Sequence, residues 1–501
     1  MPSPLSRSIG FTLGIPATVL LAVFASQAPR FGAAELSPTE QSWNQPVAPY
    51  RIMGPLYYVG ASDLAVFLIT TPEGHILINS GFAETVPLVR ESMRQLGFRF
   101  EDVKVLLASH AHSDHVGGHA LVKEATGARI MAAEGDVGVM ESGGRGDFRF
   151  EGEISWRGSP VDRVLHDGDT VVLGGMTLTA RVTPGHTRGC TTWTFDLPDG
   201  SRTRKAVVVG SMSINPGVVL VGNPKFPEIA DEYARSFRVL RSLPVDVYLA
   251  PHVRQFWADK KVKRLGEPTN PFVDPAGYKR ALDEWERSYG EQLARERAAA
   301  GIFEDVPERP DPRARYALYV HGRILEEQGI GAVSADFGLY QYEAILHALA
   351  ARGFKVVAER RAGDPGPDYP KKLAARVRKL IQAGVPASQV TVVGASKGGL
   401  LTLAAAAEVQ EDAVSYVVLA GCGSPTEAFA SRLRGRILSV YDADDRFRPS
   451  CEPTFAGAPK LADKREIVVR KELDHGLLYR PLADWLDPLV EWTTTPAKAS
   501  R

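Results

Sequence analysis

The apolar run Val103-Lys104-Val105-Leu106-Leu107 leads through Ala108 into Ser109-His110-Ala111-His112-Ser113-Asp114-His115. Four metal-ligand side chains fall within six residues, a density too costly to place together unless something positive binds them. His110 and His112, at i and i+2, share one side of an extended segment, whereas Asp114 and His115 follow the turn. The cluster therefore feeds two adjacent cations, and the missing ligands must come from farther along the chain. Two further histidines meet that demand: His186 in Thr183-Pro184-Gly185-His186-Thr187, after the run Thr177–Val182, and His252 in Ala250-Pro251-His252, after Val245–Leu249. Five histidines and one aspartate make up a three-histidine set beside an Asp-His-His set. His75 and His119 read as ordinary polar residues.

With 501 residues the chain is long enough for two or three cores. Between Tyr50 and about Ser242, short apolar runs such as Leu64–Ile69, His75–Ile78, Thr170–Leu173 and Ala206–Val209 alternate with turn signals, a strand-rich α+β pattern. From Gly277 to Ala300, Tyr278, Leu282, Trp285, Tyr289 and Leu293 recur at helical spacing. Residues 301–315 carry Pro307, Pro310 and Pro312 among charges and read as a linker. After it, Tyr316–Val320, Lys355–Ala358, Gln389–Val393, Tyr416–Ala420, Ile437–Tyr441 and Glu466–Val469 keep the βαβ rhythm of a parallel sheet. The expected units are 40–300 and 316–498.

The first 34 residues read as a secretory signal peptide. Arg7 precedes an uncharged run from Ile9 to Phe24, and Gly32-Ala33-Ala34 supplies a cleavage site. The run is shorter than a membrane span and is interrupted by Gly10, Gly14 and Pro16. The expected product is exported, periplasmic or secreted, with no membrane span left after cleavage. Basic and acidic residues number 59 each, which gives no footprint for a nucleic acid and leaves small molecules as the expected partners. Three cysteines are too few for a disulfide scaffold; Cys422 and Cys451 can pair in an oxidising compartment or stand as two unrelated small hydrophobes.

On the histidine motif, residues from about 42 to 300 resemble the metallo-β-lactamase superfamily, and in particular the third subclass of class B β-lactamases. The resemblance implies an αβ/βα sandwich with the site at one edge and two zinc ions per chain. One zinc would sit on His110, His112 and His186 and the other on Asp114, His115 and His252. A zinc-bound hydroxide would attack the β-lactam carbonyl, with Asp114 orienting it. Many superfamily hydrolases carry a bridging aspartate near the strand that here ends at Gly210, but this chain continues Ser211-Met212-Ser213-Ile214-Asn215. The resemblance assigns Ser211 and Ser213 to the substrate carboxylate, and Trp43, in Trp43-Asn44-Gln45-Pro46, to the substrate site. Asn79 stands where the superfamily often has aspartate. The same metals also suit a lactonase, and a metal-binding sensor with an inert site is the alternative outside enzymes.

The second half carries its own chemistry. The strand Gln389–Val393 runs into Gly394-Ala395-Ser396-Lys397-Gly398 and then the helical stretch Leu400–Ala407, which is the strand, sharp turn and helix of a nucleophile elbow. An acid and a histidine follow in order, Asp445 in Asp442-Ala443-Asp444-Asp445 and His475 in Asp474-His475-Gly476. Ser396, Asp445 and His475 thus form a candidate triad. The half resembles an α/β-hydrolase, esterase-like and of unknown substrate. His321 and Gly322 at the strand end Val320-His321-Gly322, with Lys397, are the expected oxyanion-hole positions.

Overall fold

The computed structural model describes residues 36–495 apart from 362 and 448; the expected signal peptide lies outside the described residues. The first half stacks two sheets face to face. One has seven strands, in the order Tyr50–Met53, Leu56–Tyr58, Phe67–Thr71, Gly74–Ile78, Val103–Leu107, Arg129–Ala133 and Arg163–Leu165. The other has five, in the order Val247–Leu249, Arg202–Val208, Thr191–Asp199, Met176–Val182 and Thr170–Leu173. Alternation along each strand sends one set of side chains into the space between the sheets. There Ile69, Ile76, Ile78 and Leu107 meet Leu178, Trp193 and Phe195. On the outer face Leu68, Leu77 and Leu106 pack under the helix Val86–Gln95 through Val89 and Met93. This is the expected sandwich.

The closing helix runs Pro275–Ala300. Asp274 caps it by accepting the Gly277 N–H at 2.7 Å, Pro275 starts it, and Gly301 at φ 76° ends it.

The second half is built on a seven-stranded sheet in the order Ile302–Phe303, Phe354–Val357, Arg315–Val320, Val390–Ala395, Ser415–Leu419, Arg436–Asp442 and Asp463–Val469. Every adjacent pair is parallel, and helices cover both faces, so the central strands are largely apolar and buried almost throughout. The segment 301–315 differs from the expected linker: Ile302 and Phe303 pair with Val356 and Val357 as the edge strand of this sheet. Ile302 is buried there, because an apolar pair beside an open sheet edge is better satisfied in the ladder than in water.

The two halves share a buried polar seam. Asp231, on the first-half helix Ile229–Ser242, accepts the N–H groups of Glu343 (3.1 Å) and Ala344 (3.4 Å), so it caps the second-half helix Tyr342–Ala351. Arg238 donates to the carbonyls of Gln328 and Ile330 at 2.8 Å and to that of Gly331. Among the described residues no helix is long and apolar enough to cross a membrane.

Candidate functional site

Each histidine of the expected set stands just past a strand end at one edge of the sandwich: His110 to His115 after Val103–Leu107, His186 after Met176–Val182, and His252 after Val247–Leu249. The two sheets are tied at this edge, where Thr191 N–H donates to Ser109 O at 2.8 Å and Trp193 Nε1 to Ala108 O at 2.9 Å. The ligand atoms of His110, His112 and His186 lie within 4.8 Å of one another, as do those of His110, Asp114 and His115. His252 joins through Asp114, whose Oδ2 is 3.4 Å from His252 Nε2 and 3.2 Å from His115 Nε2.

The ring orientations are held from behind. His110 Nδ1 donates to Gly210 O at 3.1 Å, and His186 Nδ1 to Ser213 O at 2.6 Å. His252 Nδ1 pairs with Asp63 Oδ2 at 3.1 Å. These contacts fix the tautomers and leave Nε2 of each ring for the site.

The donor set fits a cation. His110 Nε2 and His115 Nδ1 are buried and make no hydrogen bond, a cost that a bound ion removes. Burial, reinforced by the neighbouring imidazoles, holds His110 well below its ordinary pKa. His186 is lowered to about 3, by burial first and then His112. Burial acts to raise Asp114, but His115 and His252 hold it well below the usual carboxylate range. Imidazoles around an ionised carboxylate form the nitrogen and oxygen set that zinc prefers. This is a histidine-rich metal site.

The site floors a cavity of about 330 Å³ walled by Trp43, Phe150, Trp156, Ser211, Ser213 and Arg254. Trp43 stands edge-on to His252 at 5.5 Å, and the Ser211 and Ser213 hydroxyls are 3.2 Å apart at the lip. Asn79 is buried, and its Oδ1 accepts the Ser109 N–H at 2.8 Å, so it braces the start of the ligand loop. His119 turns away to Ser80 Oγ at 2.8 Å, and His75 stacks edge-on to Phe98.

Three carboxylates that no motif marks also serve the site. Asp63 orients His252. Asp147 Oδ2 faces His112 Nε2 at 3.5 Å. Asp136 accepts from Ala111 N–H, Gly189 N–H and Thr187 Oγ1, each at 2.8 Å, and thereby ties the His110–His115 loop to the His186 loop. Each makes its contacts with residues far away in the chain, so local spacing carries no signal for them.

In the second half, Ser396 Oγ lies 2.9 Å from His475 Nε2, and His475 Nδ1 lies 2.8 Å from Asp445 Oδ2. Ser396 sits at φ 54°, ψ −121°, a strained conformation between the strand Val390–Ala395 and the helix Lys397–Val409. A Cβ on Gly398 would come within 1.9 Å of Val320 O, and one on Gly394 within 2.3 Å of Gly398 O, so glycine is obligatory at both positions. Asp444 stays out of the triad. Gly322 and Lys397 border the adjoining cavity of about 380 Å³, but His321 does not. Its ring is buried and accepts the Arg361 N–H at Nε2, 2.9 Å away, while Nδ1 faces Gly322 O at 2.9 Å. Burial, with the Arg361 guanidinium beside it, lowers its pKa to about 3. The His321 side chain is therefore no oxyanion donor, because it enters the Arg361–Glu326 network behind the pocket. Cys422 and Cys451 form a disulfide, and Cys422 lines the same cavity.

Residues 63–252 match the family model of the metallo-beta-lactamase superfamily. Among solved structures, native FEZ-1 metallo-beta-lactamase from Legionella gormanii is 45% identical, with a TM-score of 0.50, over 50% of this chain and 98% of that one. The metallo-beta-lactamase GOB-18 from Elizabethkingia meningoseptica is 35% identical, also with a TM-score of 0.50, over 52% of this chain and 97% of that one. A hydroxyacylglutathione hydrolase of Cereibacter sphaeroides is 28% identical over 38% of this chain; the chain spans 63% of that relative's length, less than two thirds. Ligand geometry, sandwich fold and these matches agree, and the first half of the chain belongs to the metallo-beta-lactamase superfamily of hydrolases.

Proposed function

We propose that the first half is an exported zinc β-lactamase with two ions per chain, and that the second half is a serine hydrolase with its own centre. The observation that carries the first reading is the lip of the metal site. Hydroxyls of Ser211 and Ser213 stand beside the histidines where many superfamily hydrolases carry a bridging carboxylate. The likeness to FEZ-1, over nearly the whole of that lactamase, supports it.

His110, His112 and His186 would hold one zinc, and Asp114, His115 and His252 the other. Bound zinc supplies Lewis acidity and a water activated near neutral pH. The protein's own part is orientation. Gly210 O, Ser213 O and Asp63 hold three of the rings, so the set is preorganised rather than assembled on binding. Asp114, ionised between His115 and His252, is placed to orient the attacking water. Ser211 and Ser213 would take the carboxylate of the lactam, and Trp43 and Phe150 its apolar body. The Cys422–Cys451 disulfide is consistent with export to an oxidising compartment.

A second reading, thioester or lactone hydrolysis by the same metals, is favoured by the hydroxyacylglutathione hydrolase relative. A lactam panel, a glutathione thioester and an acyl-homoserine lactone, each with and without chelator, separate the two. The expected result is chelator-sensitive lactam hydrolysis, restored by zinc and abolished with loss of zinc in His112→Ala. Thioester or lactone turnover without lactam turnover would establish the second reading, and full lactam activity after complete demetallation would refute both.

For the serine centre, His475 Nε2 is placed to take the Ser396 proton while Asp445 holds the imidazole. The Lys397 N–H, at the first position of its helix, has no intrahelical acceptor and is available to an oxyanion.

A further inference from the structure

The cavity beside Ser396 has a chemical character of its own. Its wall is formed by Ile324, Phe337, Leu400, Phe447, Leu478 and Tyr479. The cations at its border are already engaged. Lys397 Nζ donates to Glu326 at 2.7 Å and Asp364 at 3.2 Å, and Arg323 pairs with Glu327 at 2.7 Å. No carboxylate is among its lining residues. Among the described residues, therefore, each cation at the border already has a carboxylate partner, and a charged substrate would regain there only part of the hydration it loses.

Aromatic residues converge on the catalytic imidazole. Phe447 is 66% exposed, a large apolar side chain left in water, yet it stands edge-on to His475 at 4.8 Å. Phe337 lies 6.3 Å from the same ring and 5.3 Å from Tyr479. An exposed phenyl at the mouth of a pocket gains most from covering an apolar surface of a ligand. The volume, about 380 Å³, suits a compact molecule.

Building on the triad reading above, we infer that the Ser396 centre hydrolyses neutral carboxylic esters whose acyl group is a compact aromatic or branched aliphatic one, with Phe447 as a specificity-determining residue. Ser396 Oγ adds to the ester carbonyl as its proton passes to His475 Nε2. The carbonyl carbon to alkoxy oxygen bond then breaks, and that proton goes to the departing alcohol. A water gives its proton to His475 and attacks the acyl-serine, releasing the acid and restoring the Ser396 hydroxyl. Water is the co-reactant, and no oxidant or metal enters the balance.

The test uses the full chain with p-nitrophenyl acetate, butyrate and benzoate, against p-nitrophenyl hemisuccinate as the anionic ester and a lysine p-nitrophenyl ester as the cationic one. Labelling with a fluorophosphonate is followed in parallel. We expect Ser396 to be labelled, kcat/KM to be at least tenfold higher for the neutral esters, and both signals to vanish in Ser396→Ala. Because Phe447 is exposed, Phe447→Ser should fold normally and lower kcat/KM for the benzoate several-fold through KM, with labelling retained. Labelled Ser396 with equal or better turnover of a charged ester overturns the substrate class and leaves the triad standing. Unchanged benzoate kinetics in Phe447→Ser overturns the role of that residue. Absence of both labelling and Ser396-dependent turnover overturns the triad reading itself.

Discussion

Replacing Asp136 by alanine removes a carboxylate that links the two loops carrying His110, His112 and His186. Three donors lose their acceptor at once: Ala111 N–H, Gly189 N–H and Thr187 Oγ1. Each buried donor left unpaired costs about 1–3 kcal/mol. Water entering the space vacated by the side chain recovers part of that loss. Asp136 is itself fully buried, and burial pushes its pKa up against the three hydrogen bonds, so removing it also relieves a desolvation cost. The net loss comes to about 3–5 kcal/mol after this relief, which lowers Tm by roughly 6–20 °C for a domain of this size. Both loops carry ligands, so zinc affinity should fall together with stability. Thermal unfolding of the zinc-loaded protein, with metal content measured after gel filtration, checks both. A Tm within about 2 °C of the parent, which is under 1 kcal/mol here, together with unchanged zinc content would refute the argument that Asp136 couples the loops.

Three further outcomes follow from the same geometry. Asp63→Ala removes the partner of His252 Nδ1 and should weaken one of the two proposed ions about 10–100-fold while sparing the other; a zinc titration monitored by competition shows whether one site or both are affected. Asp231, buried at the seam, has a pKa well above the ordinary value, first through burial and then through Glu343. A carboxyl raised on folding contributes stability that is complete below the unfolded value near 4 and is lost as pH rises through the folded one. The stability of the parent relative to Asp231→Asn should accordingly decline as pH is raised from 4 towards 8, and a pH-independent difference in urea midpoints contradicts this. Ser396→Ala should abolish ester hydrolysis and leave lactam hydrolysis unchanged, and a parallel fall in lactam turnover would show that the centres work together.

Many strands of the first half, the closing helix and the parallel second half were legible along the chain, because each rests on local patterning, whereas the sandwich arrangement of the first half came from the family resemblance. Strands such as Val103–Leu107 and Val390–Ala395 are short apolar runs bounded by turn residues, and Pro275–Ala300 has its cap, its apolar stripe and its terminal glycine in one stretch. The edge strand Ile302–Phe303 was not legible: two apolar residues before a proline-rich segment form a strand only because Phe354–Val357 offers them an open edge. The place of the His321 side chain was not legible for a related reason. It stands at a strand end beside a nucleophile elbow, but Arg361, forty residues away in the chain, satisfies its ring behind the pocket.

The ligand histidines and the order of Ser396, Asp445 and His475 belong to the sequence itself, since they are set by residue type and by position after a strand, both of which are local properties. The carboxylates Asp63, Asp136 and Asp147, the Cys422–Cys451 bond, the seam at Asp231 and the largely apolar wall of the serine pocket were decided by tertiary structure alone. Each is a relation between segments distant in the chain. The energy of a buried hydrogen bond or of a desolvated charge depends on what surrounds it, and only the folded chain specifies those surroundings.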